Sequence, residues 1–155
     1  MGGARSEGPA LYRLQPALAD AMRALGRAAA EAGLDPALIE LLDLRVSQIN
    51  GCAYCLQYHS NEMAKLGVPA AKQAQVAAWR ESPIFDARER VALEYAEAVT
   101  ELPDGGVPDA LHAAAEAEFG QAGLAALMAA LVAINGWNRI AIAYRFTPPP
   151  ARSHA

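Results

Sequence analysis

The stretch NGCAYCLQYHSNE, residues 50–62, holds both cysteines of the chain, three positions apart, and a histidine four residues after the second. Two thiols and an imidazole at this spacing suit thiol redox exchange, metal binding, or the plain burial of two small apolar groups. On a helix, positions 52, 55 and 59 fall within about 60° of arc, so Cys52, Cys55 and His59 share one face. Asn50-Gly51 reads as the end of one helix, which puts both cysteines in the first turn of the next. There the unpaired backbone N–H groups and the positive end of the helix dipole favour thiolate. By position Cys52 is the more exposed thiol and the first candidate nucleophile, and a protonated or donating His59 would add to the effect.

With both cysteines in one C-x-x-C at a helix start, coincidental burial is the weaker reading. A closed zinc site asks for four ligands, and the chain has no second C-x-x-C and no H-x-x-x-H. Cys52 and His59 are also ~10 Å apart along a helix axis, so His112 or Glu40 would have to complete a set that is already stretched. A thioredoxin-like site needs a βαβ setting, and the sequence carries no strand pattern. Thiol redox chemistry on a helical scaffold remains, with neither metal nor cofactor implied.

Glu40 stands among apolar neighbours in LIELLDLRV and forms, with Asp43 and Ser47, a narrow polar strip along its helix. Periodicity alone turns such a strip to solvent. If Gly51 folds the two helices back on each other, the strip meets the cysteine face instead. A carboxylate there is partly desolvated and able to take a proton from a thiol or its water. Tyr58 and Trp137 are either pocket walls or core, and Arg139, inside an apolar helix, is expected to pair with Glu94 or Glu97.

The elements that must position these groups are helices. The chain of 155 residues is 54% hydrophobic, enough for one domain with a real core, and its wealth of Ala, Leu, Glu and Arg favours helix over strand. Caps and breakers give helices over 10–33 (with Pro16 near its start), 37–50, 52–67, 70–79, 87–102, 109–120 and 124–146. Asp35-Pro36 caps the second, Gly51 ends it, and Asp86 with Glu89 forms a capping box for the fifth. The expectation is an all-α, single-domain bundle of six to seven helices over 10–146, with a flexible leader (1–9) and a disordered tail (147–155). A net charge of −4 argues against nucleic acid, and no glycine-rich loop carries a Lys-Ser/Thr pair for phosphate. Gly2 and Ser6 match a myristoylation pattern formally, but the segment reads as a plain leader. The longest apolar stretch, residues 123–134, is shorter than the ~18 residues of a membrane span, so the expectation is a cytoplasmic protein off the membrane.

The pattern E-x11-C-x2-C-x3-H, met by Glu40, Cys52, Cys55 and His59, resembles the signature of the alkyl hydroperoxidase D-like group of the carboxymuconolactone decarboxylase-like superfamily. LRVSQINGCAYCLQYHSNEMAKLG is similar to the core of these proteins, and INGWNRIAIAYRF to their closing helix, so the likeness spans about residues 35–146. The resemblance implies an all-helical fold assembled as a homo-trimer or homo-hexamer, and a cysteine-based peroxidase. By position, Cys55 would attack a hydroperoxide and become the sulfenic acid, and Cys52 would supply a proton and close a disulfide. Glu40 and His59 would relay protons through a water, and a dithiol, thioredoxin-type or lipoyl-type reductant would reopen the disulfide. One departure stands out: the group's namesake has histidine just before the second cysteine, where this chain has Tyr54. Lactone decarboxylation, the superfamily's other activity, needs no C-x-x-C; a redox-sensing oligomer without catalysis is the third possibility.

Overall fold

In the computed structural model, which describes residues 3–5 and 8–152, the chain forms seven α-helices and no strand among the described residues. They are α1 (Gly8–Leu14), α2 (Pro16–Glu31), α3 (Pro36–Asn50), α4 (Ala53–Lys65), α5 (Ala70–Gln75), α6 (Ala87–Glu101) and α7 (Asp109–Tyr144), with a 3-10 turn, Val76–Ala78, after α5. The expected all-α bundle is borne out. Gly2 and Ser6, the myristoylation pattern, lie outside the described residues.

Boundaries differ where the backbone had a choice. The expected helix over 10–33 is two helices, because Gln15 leaves helical geometry and Pro16 opens α2 at its first position. Leu14, the last residue of α1, is 83% exposed. The two expected C-terminal helices follow each other directly and are labelled together as α7, but Gly120 leaves helical geometry (φ 68°, ψ 168°) and separates them where the first was expected to end.

The main core is built by Leu41, Leu42 and Val46 of α3, Met63 of α4, Leu93 and Tyr95 of α6, and Leu127, Leu131 and Ile134 of α7. By length and apolar composition α7 would suffice to cross a membrane; here it packs against α2, α3 and α6. A second, smaller apolar cluster joins Leu11, Cys52, Cys55, Ala141 and Phe146. Both cysteines therefore sit where the start of the chain, the start of α4 and the end of α7 meet.

The turn that delivers the cysteines is fixed from two sides. Gly51 caps α3 in the left-handed conformation (φ 70°, ψ 35°), which a side chain would disfavour. The Gly51 and Cys52 N–H groups donate to the Gln48 and Ser47 carbonyls, closing a Schellman motif. From the other side, Asn50 Nδ2 donates to Asn135 Oδ1 (3.0 Å) and Asn138 Oδ1 (2.9 Å) of α7. Asn138 Nδ2 in turn donates to Ser47 Oγ (3.0 Å). Ser47 and Asn138 are fully buried, and their mutual bond satisfies groups that would be costly to bury alone. This clamp holds the end of α3 on α7, and α4 leaves from it.

Candidate active site

Cys52 is the N-cap of α4 rather than a residue of its first turn, and its Sγ accepts a hydrogen bond from the Cys55 N–H at 3.3 Å. Cys55 is the third helical residue. The sulfurs lie at disulfide distance with Cα atoms 5.3 Å apart, inside the ~4.4–6.8 Å that a disulfide spans. The expectation that Cys52 is the more exposed thiol is overturned: Cys52 is 1% exposed and Cys55 3%. Only Cys55 borders the cavity beside them. The N-cap position turns Cys52 back over the helix end, whereas Cys55, inside the turn, faces along the side of α4.

Residues Glu40, Asp43, Ser47 and Asn50 occupy about 80° of arc on α3, and this polar strip faces α4 and α7. The solvent-facing alternative fails because Gly51 folds α4 back along α3. Glu40 Oε2 lies 2.7 Å from His59 Nδ1, a hydrogen bond from the ring to the carboxylate. Asp43 Oδ2 is 3.6 Å from the same nitrogen, and Asp43 Oδ1 is buried without a hydrogen-bond partner. Burial alone would lower the His59 pKa; Asp43 and the Glu40 hydrogen bond outweigh it, so the net shift is upward. Burial pushes Asp43 up to about 7, with the His59 charge opposing and the Glu40 charge adding.

Glu40, Asp43 and His59 are also the place among the described residues where three metal-ligating types converge. Two ligands of one small ion at ~2.0–2.2 Å stand ~3 Å apart or more. The 2.7 Å contact is the spacing of a shared proton, and none of the three is assigned as a metal ligand. His112 is elsewhere, 3.2 Å from the Tyr95 hydroxyl, so it completes no site with the cysteines.

A cavity of about 340 Å³ opens beside Cys55, His59 and Asp43. Tyr58 and Trp137 line it. Tyr12, Arg23, Tyr54, Ile134 and Phe146, which sequence reasoning did not assign to a site, line it too. Tyr54, the residue that departs from the namesake's histidine, packs edge-on against Phe146 and stacks with Tyr58 (ring centroids 5.4 and 6.2 Å). Tyr12 meets Trp137 edge-on at 5.8 Å. The wall is assembled from five helices, α1 to α4 and α7, and the residues after α7, a convergence no single-helix periodicity reveals. Arg139 pairs with neither Glu94 nor Glu97; it donates to Asn135 O and Oδ1, one turn back on α7.

The pattern of the carboxymuconolactone decarboxylase family matches residues 16–98. The uncharacterized protein YdfG of Bacillus subtilis is 36% identical over 104 residues, which are 67% of this chain and 71% of that protein. A solved structure from Agrobacterium tumefaciens, of a protein of unknown function described as a candidate antioxidant defence protein AhpD, superposes with a TM-score of 0.86. It is 33% identical, with 95% of this chain and 99% of that one covered. An uncharacterized peroxidase-related protein from Silicibacter sp. TM1040 gives a TM-score of 0.73 at 27% identity, over 84% of this chain and 69% of that one. The chain belongs to the carboxymuconolactone decarboxylase family, and within it to the alkyl hydroperoxidase D-like proteins.

Proposed function

We propose that the protein is a thiol-dependent peroxidase that reduces hydroperoxides at Cys55 and is recycled through a Cys52–Cys55 disulfide. The observation that carries this reading is the pair of sulfurs at disulfide distance, with only Cys55 on a cavity wall that it shares with His59. In the first step the Cys55 thiolate attacks the distal oxygen of ROOH; the S–O bond forms, the O–O bond breaks, and ROH leaves. In the second, the Cys52 thiol attacks the Cys55 sulfenic acid, the disulfide closes, and water leaves. A dithiol reductant of thioredoxin or lipoyl type reopens it by thiol exchange. Glu40 holds His59 through Nδ1, which leaves Nε2 to accept the thiol proton through a water. The names carried by the Agrobacterium and Silicibacter structures support an antioxidant, peroxidase-type role. Lactone decarboxylation makes no use of a C-x-x-C pair, which favours the thiol chemistry over it.

The test follows hydroperoxide loss in the presence of a dithiol reductant. Wild type should consume an alkyl hydroperoxide, and mass spectrometry after stoichiometric oxidant should show the loss of two protons from Cys52 and Cys55. Cys55→Ser should fall to background, whereas Cys52→Ser should accumulate a sulfenic acid trappable by a dimedone probe. A wild type that forms the disulfide yet turns over no hydroperoxide would favour a redox-sensing role; one that does neither would overturn the thiol reading altogether.

A further inference from the structure

Asp43 is the largely buried carboxyl group of this cavity that the relay from Cys55 through His59 to Glu40 does not use. It sits one turn after Glu40 on α3 and borders the same cavity as Cys55 and His59. Its two oxygens differ. Oδ2 looks at His59 Nδ1 from 3.6 Å, too far for a hydrogen bond to a nitrogen already engaged by Glu40 at 2.7 Å. Oδ1 is buried with no hydrogen-bond partner. An ionised carboxylate left so poorly solvated costs more than a neutral acid, which keeps one O–H to donate. The groups around it are Glu40 on its own helix, His59, Tyr54 and Tyr58 from α4, Tyr12 from α1 and Arg23 from α2. From α7 the cavity receives Ala133, Ile134, Trp137 and Ala141, none of them charged. Glu40 is engaged with His59, and Asp43, with Oδ1 unpartnered and a place on the cavity wall, is the carboxyl left to serve as the acid.

We propose that Asp43 is the general acid of this site, giving its carboxyl proton to the alkoxide oxygen released when Cys55 cleaves the hydroperoxide. The proposal rests on the peroxidase reading and deepens it. The Cys55 thiolate takes the distal oxygen with its hydrogen, and the electron pair of the O–O bond stays on RO⁻. The Asp43 proton converts RO⁻ to ROH and leaves a carboxylate. The proton taken from the Cys55 thiol and held on His59 restores the acid, so the half-reaction closes as Cys–SH + ROOH → Cys–SOH + ROH. Burial supports this by keeping Asp43 protonated up to about pH 7.

A leaving-group comparison tests it. Alkoxide departure from tert-butyl hydroperoxide needs a proton, whereas carboxylate departure from peroxyacetic acid needs little help. Single-turnover disulfide formation is measured with both oxidants in wild type, Asp43→Asn and Asp43→Glu, with helical content checked by circular dichroism. Asp43→Asn is expected to slow the alkyl hydroperoxide by about ten-fold or more and the peroxyacid several-fold less, and Asp43→Glu to recover part of the difference. The wild-type rate with alkyl hydroperoxide should also fall as pH rises through about 7, an alkaline limb that the peroxyacid profile lacks. Equal losses with both oxidants, or no loss with either, overturn the role of Asp43 while leaving the peroxidase reading intact. A wild type inert to both overturns that reading and this one with it. Independently of any variant, infrared spectra of the reduced wild type should contain a protonated-carboxyl band that disappears as the pH is raised through about 7; its absence in mild acid overturns the proposal.

Discussion

Glu40 reaches His59 across the α3–α4 turn with a single short hydrogen bond, and that contact decides what a substitution there should do. Glu40→Gln keeps the size and one acceptor but removes the charge that supports His59 as it takes the thiol proton. Thiolate formation would then lean on the helix dipole and His59 alone, and the dipole is worth only about 0.3–1 kcal/mol when exposed. General-base help contributes ~10²–10⁴-fold, so Glu40→Gln is expected to slow hydroperoxide reduction at least ten-fold near neutral pH. Disulfide capacity, measured by mass spectrometry after strong oxidant, should survive. A variant with the wild-type rate would cut Glu40 from the relay. At this scale the spacing of Cys52, Cys55 and His59 was legible, because three residues on one helical face stay together wherever the helix lies. The direction of Glu40 and Asp43 was not: a polar strip looks the same to periodicity whether it faces water or a second polar strip. Nor was the cysteine that meets the cavity. That depends on whether the helix begins at residue 52 or 53, a one-residue difference within the ordinary uncertainty of helix ends.

The helices are tied together by a few buried polar contacts, and the strongest concentration is at Glu97 of α6, 6% exposed. Its Oε1 accepts from Arg45 Nε of α3 at 2.7 Å and from Trp79 Nε1 at 2.8 Å, and its Oε2 pairs with Arg80 at 2.6 Å. Burial alone would raise its pKa; the hydrogen bonds from Trp79, Arg45 and Arg80 outweigh it and hold the carboxyl below its usual range. Glu97→Gln leaves the Arg45 guanidinium, 17% exposed, without its counter-charge, and removing one partner of a buried pair costs about 3 kcal/mol or more. The low end applies here because Arg80 is 56% exposed. Denaturant unfolding near neutral pH should show that loss. A carboxylate with a depressed folded pKa stabilises above its unfolded pKa and loses that contribution as pH falls through the folded one, so the gap between wild type and Glu97→Gln should narrow in acid. A constant gap across the acid range would mean that charge is not what Glu97 contributes. Caps made these helices readable in advance: Asp35 accepts from the Ala37 N–H, Gly51 closes α3, and Asp86 and Glu89 form the expected capping box. The partners of Glu97 were not readable, since Arg45, Trp79 and Arg80 come together only once α3, the turn after α5 and α6 are packed.

Over the whole molecule, α7 carries more apolar surface than one small bundle covers. Much of it is turned inward, with Leu124, Leu127, Leu131 and Ile134 buried in the main core, but Val132 and Ile142 are 47% and 45% exposed. Tyr144 near its end is 37% exposed, and Tyr58 at the cavity rim 43%. Large apolar side chains left open on an otherwise covered helix suit contact with another subunit, in line with the homo-trimer or homo-hexamer that the resemblance implies. Multi-angle light scattering at micromolar concentration is expected to return a mass that is a multiple of 16.3 kDa. Val132→Glu should lower that mass, because a carboxylate buried in an apolar contact without a partner costs several kcal/mol, whereas the same residue on a free surface changes stability by only about 0.5 kcal/mol. The two effects separate cleanly if helical content and thermal unfolding are followed at high dilution, where the subunits stand alone. A wild type of 16.3 kDa at every concentration, or a Val132→Glu variant with unchanged mass, would leave α7 as the inner helix of a monomer and its open side chains as ordinary surface.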